Sequence, residues 1–293
     1  MVVGGMDMKD YTVCEAPVCV GSPSQGSEQA YRALREDLAR LFGERVQFSD
    51  FTGEREKGEL LFDWRLQNVE TVMQISRGVY DMVIGAHEAG RFPIVIGGDH
   101  SVAMASMAAL ADRVGAENVA VIYLDGHADI NTEKTTESGY IHGMPLAAAM
   151  GLCHDKLTVG RHKIHLYGEN TYIVGARSID EGEWPTLKEQ GVTLFSPEQV
   201  AADPDGVADA ILERTAGKYI HLSFDVDVMD GKEFPSTGYR MPNGLSFAVT
   251  ERLLSRWIGS GRLSSFDCVE YNPLLDNGED KEKLLKIFQR FCV

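Results

Sequence analysis

Short apolar, β-branched runs alternate with longer segments of helical spacing along this chain. The runs at 11–20, 92–96, 119–124, 171–175, 192–195, 219–224 and 264–269 predict strands. Most are nearly continuous rather than alternating, the pattern of strands covered on both faces of a parallel sheet. Residues 28–42, 65–89, 102–114, 183–190, 205–215 and 247–260 carry the spacing of an amphipathic helix, and 281–291 reads as a last helix. This order predicts right-handed βαβ units and an α/β fold, a mainly parallel sheet with helices on both faces. No linker, low-complexity tract or repeat interrupts it, so residues 1–293 are expected to form one domain. Two longer polar stretches, 131–140 and 230–244, directly follow strand candidates. Open α/β sheets bind ligands beyond the carboxyl ends of their strands, so these loops are the first place to look for function.

Composition narrows the partners. Lys and Arg number 28 against 44 Asp and Glu, a formal net charge of −16. That balance argues against a nucleic-acid footprint or a polybasic membrane surface and suits a cationic small molecule. Five widely spaced cysteines without a CxxC pattern suggest free thiols rather than a disulfide framework or zinc knuckle. No basic segment followed by an apolar run opens the chain, and no apolar stretch approaches bilayer length. The expected location is the cytoplasm.

Four predicted strand ends carry ionisable residues. IVIGGDHS places Asp99 and His100 after a glycine turn, and VIYLDGHADIN presents Asp125, His127 and Asp129 at alternate positions. IHLSFDVDVMD presents Asp225 and Asp227 in the same way, and FDCVEYNP ends on Glu270. Alternate residues of an extended segment share one side. A single aspartate at such a place ordinarily caps a helix or pairs with a cation. Four aspartates meeting two histidines, with little Lys or Arg nearby, would repel one another unless a cation balances them. A bound metal is the simplest such cation. The set contains no sulfur and is rich in carboxylate, which favours a harder ion such as manganese over structural zinc. Six ligands exceed one tetrahedral site, and two ions sharing carboxylates would use them all.

Together with HGMP at 142–145, these motifs resemble the arginase–agmatinase family of ureohydrolases, in the family's own order from about Pro93 to Pro273. The resemblance implies a three-layer α/β/α sandwich and a hydrolase of guanidino or related groups using two manganese ions per chain. It makes His100, Asp125, Asp129 and Asp225 ligands of one ion. His127, Asp125, Asp225 and Asp227 would ligate the other, with Asp125 and Asp225 bridging. A metal-bridging hydroxide, oriented by Asp129, would attack the guanidinium carbon. His142 resembles the family's proton-shuttling histidine, and Glu270 the carboxylate that pairs with the guanidinium. The family also implies a homo-oligomer, commonly a trimer or hexamer. His87, His154, His162, His165 and His221 fall outside the motifs and are expected to pack or hydrogen-bond. Asp99 is expected to support a turn beside the ligands.

The loop DINTEKTTESGYIHGMP is closest to the arginase form. There Asn131 and Ser138 match positions that contact a substrate α-carboxylate. In GARSIDEGE, Asp180 matches the residue facing an α-ammonium, and Glu183 its acidic neighbour. Arginase, giving L-ornithine and urea from L-arginine, is the leading expectation. Three departures stand out: Tyr140 where arginases commonly have Asn, Tyr239 where they commonly have Thr, and Gly231 after Asp230 in place of Pro. They keep agmatinase, guanidino-acid hydrolase and formimidoylglutamase open. A one-metal zinc deacetylase and a non-catalytic arginine-binding protein are the alternatives from other classes.

Overall fold

In the computed structural model, residues 10–53 and 63–292 are described. The opening segment read for a targeting signal lies largely outside them. Strand β4, Val119–Leu124, shows how the layers arise. Val119, Val121 and Tyr123 enter one apolar core, while Ala120, Ile122 and Leu124 enter a second on the opposite face. A strand buried on both faces has no polar side, which is why its sequence is a continuous apolar run. The first core is closed by α2 (Val69–Glu88), α3 (Ala103–Val114), α4 (Pro145–Ala149) and, through Leu187, α5 (Glu183–Gln190). The second lies under α1 (Ala30–Phe42), α6 (Pro197–Ala202), α7 (Pro204–Arg214), α8 (Phe247–Gly259) and α9 (Glu279–Phe288). The three-layer α/β/α arrangement is the one expected.

The other strands are β1 (Tyr11–Glu15), β2 (Val46–Ser49), β3 (Phe92–Ile96), β5 (Thr171–Val174), β6 (Thr193–Phe195), β7 (Tyr219–Asp225) and β8 (Leu263–Val269). Their spatial order is β2-β1-β3-β8-β7-β4-β5-β6, with every pairing parallel. The central neighbours β3, β8, β7 and β4 are the four strands whose ends bear the ionisable motifs.

Two predicted boundaries move for physical reasons. The first strand stops at Glu15 rather than residue 20, because Pro17 offers no N–H and the next residues turn to the loop after β3, where Asp99 N–H donates to Val18 O at 2.9 Å. Helix α2 starts at Val69 rather than 65. Asn68 is left-handed (φ 55°) and anchors its amide on Val20 O, 2.8 Å away. Strand β2 and helices α4 and α6 escape the sequence reading. β2 is a short, part-exposed edge strand without an apolar run, and the two helices are too short to show a period.

Candidate metal centre and substrate cavity

The four central strands deliver their motifs to one end of the sheet. After β3 the chain turns through Gly97 and Gly98, both at positive φ. A Cβ on Gly98 would meet Ala16 O at 2.6 Å, so only glycine fits. Asp99 then locks the turn: its carboxylate accepts from Gly21 N (2.8 Å) and from Ser101 N (3.1 Å) and hydroxyl. Burial, with the Glu270 charge beside it, raises the Asp99 carboxyl to about 6. It supports the turn, as expected.

His100 Nδ1 stands 2.9 Å from Asp125 Oδ2, 3.1 Å from Asp225 Oδ2 and 3.2 Å from Asp129 Oδ2. These lengths suit hydrogen bonds, yet neither His100 Nδ1 nor Asp125 Oδ2 has a partner at acceptable angles. Buried polar atoms are otherwise nearly always paired. Atoms that crowd together without bonding converge on a common point, and hard and borderline donors so arranged fit a divalent cation. A second group adjoins the first: His127 Nδ1 lies 3.0 Å from Asp227 Oδ2 and 3.4 Å from Asp125 Oδ1. Asp125 belongs to both groups able to hold a metal, His100–Asp125–Asp225 and Asp125–His127–Asp227. Asp225 shows the cost of crowding. Burial, then the charges of Asp227 and Asp125, push its pKa well above the usual carboxylate range. Burial opposes the charged form of His100, but the three aspartates outweigh it and raise its pKa well above normal.

Residues two positions back on the same strand faces support this cluster, and sequence reasoning missed them. Tyr123 stacks on His100 (centroids 4.4 Å apart, planes 4° apart), and its hydroxyl donates to Asp129 Oδ2 at 2.9 Å. Ser223 Oγ shares a 2.9 Å hydrogen bond with His100 Nε2, leaving Nδ1 to face the carboxylates. The period-two pattern through Tyr123–Asp125 and Ser223–Asp225 was the available signal. Arg177 was also missed. Its guanidinium gathers the carbonyls of Asp227, Met229 and Pro242 at 2.9–3.2 Å, tying the 230–244 loop to the turn after β7.

Glu270 follows β8 with φ 60°. Its N–H donates to Gly98 O and its Oε1 accepts from His100 N, both at 3.0 Å. His142, in a tight turn before α4, places Nδ1 3.7 Å from that same Oε1. Burial opposes protonation of His142, but Glu270 leads the nearby carboxylates in raising its pKa.

A cavity of about 280 Å³ opens from His127, Asp129 and His142 toward Asn131, Ser138, Asp180 and Glu183, with Tyr140 and Tyr239 on its wall. All four predicted substrate-end residues thus line one space. Asn131 Nδ2 donates to Asp180 Oδ2 at 2.8 Å, and Thr135 Oγ1 donates to Asn131 Oδ1 at 2.9 Å. Glu183 is deeper than a freely presented side chain. Its carboxylate accepts from Ile130 N (2.9 Å) and Asp180 N (2.8 Å), stapling the two loops, and burial raises its pKa to about 7. His221 is buried within β7, hydrogen-bonded to Ser265 Oγ of β8 (2.8 Å) and 3.1 Å from Asp267 Oδ2, a packing role as expected.

An all-parallel α/β sheet with paired His–Asp groups at the carboxyl ends of its central strands defines a class of α/β protein with a candidate two-metal site. Within that class the comparisons are specific. The Arginase family model matches residues 9–288. The arginase of Bacillus caldovelox is 32% identical over 283 residues, covering 92% of this chain and 93% of that protein. Its solved structure superposes with a TM-score of 0.89 at 29% identity, over 97% and 98% of the two chains. The arginase of Entamoeba histolytica, solved in complex with L-ornithine, also gives 0.89, at 28% identity over 98% and 99%. The chain belongs to the arginase family and is a ureohydrolase.

Proposed function

We propose that this ureohydrolase converts L-arginine and water to L-ornithine and urea with two manganese ions per chain. The observation that carries the reading is one cavity lined by His127, Asp129 and His142, beside the His–Asp cluster, together with Asn131, Ser138 and Asp180. His100, Asp125, Asp129 and Asp225 would hold one ion, and His127, Asp125, Asp225 and Asp227 the other. When bound, the ions supply a hydroxide nucleophile at neutral pH. Glu270 pairs with the planar guanidinium, and Asp129 accepts a hydrogen bond that orients the attacking oxygen. His142 gives a proton to the leaving amine as the tetrahedral carbon collapses. At the far end, Asn131 retains a second N–H after bonding Asp180, and with the Ser138 hydroxyl it donates to the α-carboxylate. Asp180 offsets the ammonium, and Glu183 acts there by holding the Asp180 main chain.

The complete ligand set supports an active enzyme over a binding protein, and the meeting of His100 with Asp129 supports two metals over a deacetylase's one. We further propose that the chain works as one domain, in a cytoplasmic homo-oligomer, trimer or hexamer. All five cysteines are free, which suits that compartment, and among the described residues no helix is long and apolar enough to cross a membrane. Tyr140 and Tyr239 on the cavity wall favour one second reading, a different ureohydrolase substrate. Urea release by manganese-loaded protein from L-arginine, compared with agmatine and guanidino acids, decides between them. Preference for L-arginine is expected. Preference for carboxylate-free agmatine contradicts the roles of Asn131, Ser138 and Asp180.

A further inference from the structure

His142 has few polar constraints. Its main-chain N–H donates to Gly21 O at 3.0 Å, but its imidazole reaches Glu270 only at 3.7 Å, beyond a direct hydrogen bond. Its ring instead contacts two tyrosines from different loops. The Tyr239 ring is 5.4 Å from it, centroid to centroid, with planes 31° apart, and the Tyr140 ring stands edge-on at 6.3 Å and 76°. Tyr239 also meets the metal-ligand side, edge-on to His127 at 5.6 Å and 79°. Such separations fall in the range of favourable ring pairs.

The main chain that presents Tyr239 is anchored beside Glu270. Thr237 bridges antiparallel to Tyr271. Asn272 N–H donates to Ser236 O at 2.8 Å, and Ser236 N–H to Asp280 Oδ2 at 3.1 Å. The ring therefore rests on a held segment and spans the wall from one histidine to the other.

We propose that Tyr239 is a positioning residue for His142: its flat face holds the imidazole toward the ligand cluster and closes the cavity beside His127. The proposal rests on the reading of His142 as the group that moves a proton. The test combines kinetics and crystallography on the metal-loaded full chain, using Tyr239→Ala, Tyr239→Leu and Tyr239→Phe. Leu fills much of the space without a flat face, and Phe keeps the face.

With L-arginine, Tyr239→Ala and Tyr239→Leu are expected to lower kcat roughly threefold to tenfold, with a smaller change in KM, and Tyr239→Phe to recover most of the loss. In crystals of the Ala variant the His142 ring is expected to turn or lose order. An imidazole held unchanged in that variant, or a loss confined to KM, overturns the proposal. If the wild-type protein does not hydrolyse L-arginine, the proposed substrate fails, while the order of His142 in the crystals still decides the role of Tyr239.

Discussion

At the residue scale, the backbone at two proposed reacting residues is unusual. Asp129 (φ 48°) and Glu270 (φ 60°) occupy the left-handed region, which non-glycine residues seldom adopt. Asp129 lines the cavity and the Glu270 carboxylate accepts from His100 N, and the surrounding hydrogen bonds hold the strain of both turns. Glu270→Gln keeps the shape and an acceptor for His100 N but removes the charge. Losing a charge-assisted bond to the guanidinium is expected to lower kcat/KM by roughly 10- to 100-fold, read by steady-state urea release. An unchanged kcat/KM removes Glu270 from that role. His142→Asn is expected to lower kcat by about 10² or more while leaving bound metal per chain the same. A matching loss of metal would instead make His142 part of the ion site.

At the scale of elements, α2 and the β7–β8 pair carry buried polar groups that no ligand site uses. His87, near the end of α2, is buried with neither ring nitrogen hydrogen-bonded. Burial, with the Arg113 charge, depresses its pKa to about 4. The unfolded chain takes up this proton near 6.5 and the folded chain does not, so folding stability falls as pH drops from about 6.5 to 4. The loss at this site is on the order of 3 kcal/mol. Urea denaturation across that window should show His87→Phe losing part of the acid sensitivity, and parallel curves would refute the assignment. Between β7 and β8, Asp267 accepts from Ser106 Oγ at 2.7 Å and faces His221, all fully buried. Asp267→Ala strands the Ser106 hydroxyl, takes the facing carboxylate from His221 and is expected to cost about 3 kcal/mol in the same experiment.

At the scale of the whole molecule, the cluster binds four mutually repelling aspartates into one folded state. A cation held by that state and not by the unfolded chain stabilises it by mass action. Chelation is expected to lower Tm and abolish urea release, and added manganese to restore both. Metal analysis should find two ions per chain. One tightly held zinc contradicts the manganese pair.

Much of this organisation was legible in the chain itself. Continuous apolar runs identified buried parallel strands, and helical periods identified the helices between them, because both patterns record how a local segment is covered. Alternate acidic residues after those strands signalled a metal site, because like charges so close together in sequence demand a cation. Short or half-exposed pieces such as β2 and α6 left no such record. What only the tertiary structure decided is adjacency. The β3-β8-β7-β4 order joins His100, Glu270, Asp225 and Asp125, and loop packing sets Asn131 on Asp180 and Tyr239 on His142. Local propensity acts within a few residues, whereas these meetings depend on crossovers and on shared cores that bury distant segments together.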